Sequence, residues 1–348
     1  MKQLISLGAN IVRSNFNALD RPFKLTYAAT YRCNSRCTIC SIWKRTKFND
    51  ELTLPDLQSF FSKNNYFNWI DVTGGEVFMR PGILDIFKII ARTQHNLYML
   101  HTQTNGILTH KLTRDILAVL ALRPRLFVLT LSIDGPPALH NKLRGIKNNW
   151  QDSVATYKAL QKYISNRFAC YFGMTLSDYN AGQIEATYQS LKTAIPTLSR
   201  HDMHFNVAHR SSHYYGNQNS KFSTPQTIAG EIADFNKKKG RRWDGVSILD
   251  SLYQRRVASY LETHKTPIPC KALTSSLFLD PDGTIYPCSM WNLALGNVKD
   301  ISYDLSKFWQ SPVAVKTRHV IDLKKCPNCW TPCEAYQSLL GNLPRSMI

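Results

Sequence analysis

The sequence predicts an α/β fold in which a partial (β/α)6 barrel is followed by a small cysteine-rich extension. Six apolar, strand-like runs alternate with amphipathic helical stretches, and strands separated by helices form βαβ units with a parallel sheet. Nearer the C-terminus, two short apolar runs flank the tight turn 280–283, a pattern typical of a β-hairpin. The length of 348 residues accommodates one barrel of about 250 residues and a smaller appendage.

The order of the elements follows from these runs. The strand-like runs are KLTYAAT (24–30), NWIDVTG (68–74), NLYMLHTQT (96–104), LFVLTLSID (126–134), FACYFGMTL (168–176) and MHFNVAH (203–209). We expect a helix to open at Thr53, because Pro55 lies in the first turn after it. The domains we expect are an N-terminal segment (1–22), the barrel core (23–225), a helical linker (226–265) and the cysteine-rich extension (266–348).

Three cysteines at close spacing follow the first predicted strand. Cys33, Cys37 and Cys40 form C-x3-C-x2-C in the segment TYRCNSRCTIC, so three thiolates can close on one soft metal centre. A tetrahedral zinc ion and a [4Fe-4S] cluster both require a fourth ligand that this triplet does not supply. The triplet therefore indicates either a [4Fe-4S] cluster with one iron free to bind a small molecule, or half of a zinc site completed by a distant Cys or His.

Two glycines and a glutamate end the second predicted strand. Gly74 and Gly75 let the backbone approach a ligand closely, and the Glu76 carboxylate can accept a hydrogen bond from an ammonium group. A Gly-Gly pair by itself is most often a turn. Combined with the cysteine triplet, this segment resembles the radical S-adenosylmethionine (radical SAM) superfamily, whose members carry C-x3-C-x2-C early and a Gly-Gly-Glu segment after the second strand.

The resemblance implies a cofactor and a mechanism. In the family, the cysteine triplet holds a [4Fe-4S] cluster whose fourth iron binds the amino and carboxylate groups of S-adenosylmethionine (SAM). By this resemblance, Gly74, Gly75 and Glu76 would contact the methionyl ammonium. One electron from the cluster cleaves SAM to methionine and a 5′-deoxyadenosyl radical, which abstracts hydrogen from the substrate, while the protein supplies position and excludes water.

The same resemblance suggests five further SAM contacts, each with a structural alternative. Asn105 in HTQTNGIL can equally be part of an Asn-Gly turn, and Ser132 and Asp134, expected near the ribose, can belong to a strand-ending turn. Arg144 would point toward the SAM carboxylate or lie on the surface. Ile39 would pack on adenine or in the core.

The C-terminal region contains a second group of cysteines. These are Cys270, Cys288, Cys326, Cys329 and Cys333. The spacing of the first two around the hairpin, followed by C-x2-C, resembles the SPASM and Twitch extensions of radical SAM enzymes. Full SPASM extensions carry seven cysteines, so five favour one auxiliary [4Fe-4S] cluster. We expect Cys270, Cys288, Cys326 and Cys329 as its ligands, with Cys333 replacing one of them or left over. A structural zinc ribbon is the alternative.

Composition limits the compartment. The sequence has no run of about 18 apolar residues and no signal-peptide core, so we expect a cytoplasmic protein without a membrane span. Nine cysteines, most at metal-binding spacings, also favour a reducing compartment. Cys170, isolated in a strand-like run, is expected to be a buried small apolar residue. The first residues are expected to form a short amphipathic helix on the barrel.

The net charge of +19 is unusual and has three interpretations. The basic residues concentrate at Lys237–Arg242, Arg255, Arg256, Lys324 and Lys325. The first interpretation is solubility, and the second is an acidic electron donor such as flavodoxin or ferredoxin. The third is nucleic acid, for example a modified tRNA base, which is not favoured because no recognised RNA-binding motif accompanies the charge.

Three functional classes remain open from the sequence. The main hypothesis is a radical SAM oxidoreductase acting on a small polar metabolite, in which the auxiliary cluster takes the electron left after hydrogen abstraction. The second is a peptide-modifying maturase, against which we count the presence of only 32 residues before Cys33. The third is a non-enzymatic zinc and nucleic-acid-binding protein. Polar residues expected near the mouth of the barrel are His201, His204, His209, Arg210 and His213.

Overall fold

Nine β-strands form one continuous sheet in the computed structural model, which describes residues 1–17, 19–240 and 242–346. The strands are β1 (Lys24–Thr30), β2 (Trp69–Gly74), β3 (Met99–Thr104), β4 (Leu126–Ser132), β5 (Phe168–Leu176), β6 (Met203–Val207), β7 (Ser276–Leu279), β8 (Thr284–Tyr286) and β9 (Gly296–Asn297). Their order in the sheet is β6-β5-β4-β3-β2-β1-β7-β8-β9.

In the part of the chain that the structure describes, one α-helix precedes the first strand and six more lie between the first six strands. They are α1 (Lys2–Phe16), α2 (Leu54–Lys63), α3 (Ile83–Thr93), α4 (Thr109–Ala121), α5 (Pro137–Arg144), α6 (Asn149–Leu160) and α7 (Ile184–Ala194). The helices after β6 are α8 (Thr227–Lys239), α9 (Gly245–Gln254), α10 (Val257–Thr263), α11 (Ser306–Trp309), α12 (Pro312–Asp322), α13 (Pro332–Leu340) and α14 (Leu343–Ser346). Helix α2 starts where predicted, because Thr53 and Asp56 form a reciprocal capping box.

The predicted fold class is confirmed. Strands β1 to β6 are parallel to their neighbours, and each is joined to the next through helices, as a partial (β/α)6 barrel requires. Every residue of β1 and β2 is buried, since a parallel sheet is covered on both faces. The predicted hairpin is β7–β8, which pairs antiparallel.

The hairpin is not separate from the barrel. Strand β7 pairs parallel with β1, from Lys24 opposite Ser276 to Tyr27 opposite Leu279. The C-terminal extension therefore continues the barrel sheet past its first strand. The segment predicted as a helical linker contains α8, α9 and α10, whereas Arg241 of the basic run lies outside the described residues. The domain boundaries themselves stay predictions.

Helix α1 packs at the amino-terminal edge of the sheet. Its Asn10 side chain donates a hydrogen bond to Asn68, the residue before β2, at 2.6 Å. Leu7 joins Leu19 and Phe23 in a small apolar cluster below the strands. The expected amphipathic helix is therefore present and lies opposite the edge that carries the cysteine triplet.

Candidate active site

The cysteine triplet lies in the loop that leaves the carboxyl end of β1. Cys33, Cys37 and Cys40 are half-buried, and all three line one large cavity. Burial raises the pKa of the Cys33 and Cys40 thiols to about 12. Without a bound cation these thiols therefore remain protonated, so binding of a metal centre releases their protons.

Two glycines allow the end of β2 to touch this loop. Gly75 N–H donates to the Thr30 carbonyl at 2.8 Å, and Glu76 N–H donates to the Arg32 carbonyl at 2.8 Å. A Cβ at Gly74 would lie 2.0 Å from the Thr30 oxygen, and one at Gly75 would lie 2.3 Å from the Arg32 oxygen. Gly74 also has a φ of +141°, which other residues rarely adopt. The glycines are therefore required to position the start of the cysteine loop.

Glu76 faces the protein interior and is 1% exposed. Its carboxylate accepts hydrogen bonds from the Thr104 hydroxyl at 2.8 Å and from the Asn105 backbone N–H at 2.8 Å. Burial raises the pKa of this carboxyl. Glu76 thus ties β2 to the end of β3, and its contact with a SAM ammonium stays a prediction.

Arg144 forms a buried ion pair beside the triplet. Its Nε lies 2.7 Å from Asp134 Oδ2, and its Nη1 lies 3.6 Å from Cys37 Sγ. The Arg36 N–H donates to the Arg144 carbonyl at 2.9 Å, so backbone and side chain both hold the loop. Arg144 and Asp134 form an ion pair with each other. The separate contacts of each residue with SAM stay predictions.

The remaining predicted SAM contacts lie on the same cavity wall. Ile39, Asn105 and Ser132 line the cavity together with Gly74 and Gly75. Asn105 donates to Asn34 at 2.6 Å and to the Ser35 hydroxyl at 2.9 Å, which fixes its amide against the cysteine loop. The structure thus brings the triplet and most of the predicted contacts to the carboxyl edge of the sheet, where ligands of parallel barrels bind.

The cavity has a volume of about 780 Å³ and extends from the cysteine triplet to helix α1. Halfway down, Asp71, His101 and Thr130 form a polar belt on neighbouring strands. His101 Nδ1 lies 3.2 Å from Asp71, and its Nε2 lies 3.1 Å from the Thr130 hydroxyl. Sequence reasoning missed this belt, although polar residues inside apolar strand runs are a usable signal.

Below the belt, the cavity wall is mainly apolar. Its apolar lining there includes Leu7, Met99, Leu126 and Phe168, and its polar lining includes Ser165 and Asn166. Lys24, which is fully buried, lies 3.0 Å from Asp71 Oδ2. Although burial opposes ionisation, the charge of Lys24 holds the pKa of Asp71 well below its usual range.

Four of the five C-terminal cysteines surround a second, smaller cavity. These are Cys270, Cys288, Cys326 and Cys329. Cys333, in the first turn of α13, instead lines the large cavity. The segment 329–333 therefore forms the wall between the two cavities. This arrangement favours the predicted set of four auxiliary ligands, with Cys333 left over.

The histidines in and after β6 mostly contact other parts of the protein. His209 contacts the Val207 carbonyl at 2.7 Å and accepts from Trp330 N–H at 3.0 Å, and burial lowers its pKa to about 4. His213 stacks on Tyr286, while His204 lines the large cavity. Cys170 is 2% exposed, as expected for a buried apolar residue. The histidine residues do not gather into one site.

Two family models match the chain. The radical SAM superfamily model matches residues 27–191, and the SPASM model, described as an iron-sulfur cluster-binding domain, matches residues 270–338. The chain is an enzyme of the radical SAM type with a C-terminal cluster-binding extension. It belongs to the radical SAM superfamily and, within it, to the members that carry a SPASM domain.

Two curated relatives come from Bacillus subtilis (strain 168). The antilisterial bacteriocin subtilosin biosynthesis protein AlbA is 22% identical over 345 residues, which cover 94% of this chain and 71% of AlbA. The sporulation killing factor maturation protein SkfB is 21% identical over 285 residues, which cover 81% of this chain and 63% of SkfB. The chain thus spans only part of each relative's length.

Solved structures share the fold. Native anSMEcpe with bound AdoMet superimposes with a TM-score of 0.60 at 16% identity, covering 94% of this chain and 98% of that one. Streptococcus suis SuiB bound to the precursor peptide SuiA gives a TM-score of 0.57 at 14% identity, covering 89% and 69%. At these identities the likeness establishes the fold.

The residues of both sites fit the cofactors that the two domains imply. Three thiols at one end of a large cavity suit a cluster with one iron left for SAM, and four thiols around a small cavity suit a closed cluster. The family and the chemistry of the donor residues therefore both support the expected cofactors, which are a [4Fe-4S] cluster with SAM and an auxiliary iron-sulfur cluster. None of the helices in the described residues has the length and apolar character of a membrane span.

Proposed function

We propose that this radical SAM enzyme modifies a peptide, and that an apolar side chain of the peptide enters the lower part of the large cavity. The observation that carries the proposal is the apolar lining below the Asp71–His101–Thr130 belt. A small polyol needs hydrogen-bond partners along most of its surface, whereas an apolar side chain gains free energy by leaving water.

The relatives favour the same substrate class. AlbA and SkfB are named for the biosynthesis or maturation of a bacteriocin and a killing factor, and SuiB has been solved with a precursor peptide. The small polar metabolite, preferred from the sequence, receives less support than its peptide alternative. The number of residues before Cys33 does not decide between these substrate classes, because it does not determine how a peptide reaches the cavity.

The protein's own residues would position and enclose the reaction. Cys33, Cys37 and Cys40 would hold the cluster that binds SAM, and Arg144 would keep the Cys37 loop in place. When bound, the cluster and SAM supply a carbon-centred radical that takes hydrogen from the substrate. The apolar wall excludes water, which protects so reactive a species from side reactions.

The auxiliary site would be held by the four cysteines of the second cavity, on the other side of the segment 329–333 from the substrate. A cluster held there would supply an electron acceptor separated from the large cavity only by this segment. We further propose that the first cluster receives its electron from an acidic flavodoxin or ferredoxin, because the chain carries a net charge of +19. A nucleic-acid partner is not favoured.

The test is anaerobic co-expression with each short peptide encoded beside the enzyme's gene, followed by mass spectrometry of the peptide. We expect one peptide to change mass with the wild-type enzyme and to remain unmodified with Cys37→Ala. The same enzyme is then offered small aminocyclitols and other polyols. Oxidation of a polyol, with every peptide unchanged, would contradict the proposal.

A further inference from the structure

Helix α1 carries an apolar face that the protein does not cover. Met1, Ile5, Val12 and Phe16 are 90%, 65%, 56% and 79% exposed. At 3.6 residues per turn these four positions fall on one side of the helix. We call this face the outer stripe.

The opposite face of α1 is firmly attached to the protein. On that face Leu7 and Ser14 are buried, and Asn10 donates a hydrogen bond to Asn68 at 2.6 Å. At the side of the helix, Asn15 donates to the Leu340 carbonyl at 2.8 Å. Lys271 donates to the Ser14 carbonyl at 2.7 Å. Because these contacts fix the rotation of the helix, the outer stripe is held in a set orientation toward the outside.

Basic residues flank the outer stripe. Lys2 and Arg13 are exposed and fall on the same flank of the stripe, about three turns apart, and α1 contains no acidic residue. The whole chain has a net charge of +19. An apolar stripe beside basic residues is typical of helices that lie in the interface of an anionic bilayer.

We propose that the outer stripe of α1 docks the enzyme on an anionic lipid surface, with the helix axis parallel to the bilayer. A second copy of the chain is a poorer occupant, because two surfaces with this charge repel each other and four side chains fall far short of the roughly 20–30 residues per partner in a stable interface. A bilayer needs no matching shape. Docking does not depend on the nature of the substrate.

Docking through α1 leaves the active site accessible. Helix α1 packs at the amino-terminal edge of the sheet, beside Asn68, whereas Cys33 and Gly74 lie at the carboxyl ends of β1 and β2. The end of the large cavity that carries the cysteine triplet would therefore face away from the lipid. A substrate and an electron donor could reach it from solution while the enzyme remains on the surface.

The test is flotation of the full-length protein with two kinds of vesicle. One contains equal amounts of phosphatidylglycerol and phosphatidylcholine, and the other contains phosphatidylcholine only. We compare the wild type with Ile5→Glu/Phe16→Glu, which changes the stripe, and with Val313→Glu/Val315→Glu, which changes two apolar residues of α12 that are 42% and 50% exposed. Circular dichroism and the thermal midpoint check that both variants fold.

We expect the wild type and the α12 variant to float with anionic vesicles, and the α1 variant to bind them at least about tenfold more weakly, because two apolar side chains no longer enter the lipid. Wild-type protein that stays out of the vesicle fraction would overturn the proposal. Equal flotation of the α1 variant would also overturn it, since charge would then suffice. A dimer that only the α1 variant loses, without vesicle binding, would assign the stripe to a second copy instead.

Discussion

Replacing Gly75 with alanine tests how the cysteine loop is positioned. The new methyl group would lie 2.3 Å from the Arg32 oxygen and 3.0 Å from Cys33 Cβ, whereas ordinary contacts begin near 3.4 Å. The end of β2 and the loop would have to separate by about 1 Å. That movement weakens the 2.8 Å hydrogen bonds that join Gly75 to Thr30 and Glu76 to Arg32. Overpacking and two weakened hydrogen bonds together cost about 2–4 kcal/mol.

We expect Gly75→Ala to lower the free energy of unfolding of the iron-free chain by that amount in a urea titration, and to reduce iron incorporation at the triplet. The matched control is Gly230→Ala in α8, where a Cβ meets no atom within 4 Å and alanine favours the helix. The control should be neutral or slightly stabilising. A Gly75→Ala protein with wild-type stability and iron content would refute the close-contact reasoning.

Two further changes test buried charges. Asp280 accepts a hydrogen bond from the Tyr31 hydroxyl at 2.5 Å, and burial raises its pKa to about 7. Because the pKa of Asp280 is raised in the folded state, its ionisation lowers the free energy of unfolding as pH rises from about 4 to 7. Between pH 5 and pH 8 the wild type should therefore lose about 2–3 kcal/mol more unfolding free energy than Asp280→Asn. Urea titrations in which the two proteins change equally with pH would contradict this. Arg144→Met leaves the buried Asp134 carboxylate without its cationic partner and should lower the free energy of unfolding by about 3–5 kcal/mol. The double variant Arg144→Met/Asp134→Asn should recover part of this loss. A double variant no more stable than the single one would argue against the ion pair.

The barrel could be predicted from the sequence because its strands are continuous apolar runs. The runs at 24–30 and 168–176 coincide with β1 and β5, and the capping pattern at Thr53 marks the start of α2. These elements are determined by residues close together in the sequence, namely the apolar runs and the capping residues. The same strand runs also place the cysteine triplet after β1 and Gly74 at the end of β2.

Pairing between distant segments could not be predicted in this way. Nothing near β7 indicates that it adds to β1, about 250 residues earlier in the chain, and joins the hairpin to the barrel. The engagement of Glu76 with the end of β3, and the separation of Cys333 from the other C-terminal cysteines, depend on such distant contacts. The polar belt shows both limits: each strand run contains one of its polar residues, but only the register of β2, β3 and β4 brings Asp71, His101 and Thr130 together.

The most direct measurement is iron and zinc per chain after anaerobic reconstitution with iron and sulfide. For the wild type and for Cys333→Ser we expect about eight irons and negligible zinc, because two [4Fe-4S] clusters form and Cys333 belongs to neither. Cys329→Ala should retain about four irons at the triplet. About four irons with about one zinc in the wild type, or loss of the second cluster in Cys333→Ser, would contradict the assignment of the two sites.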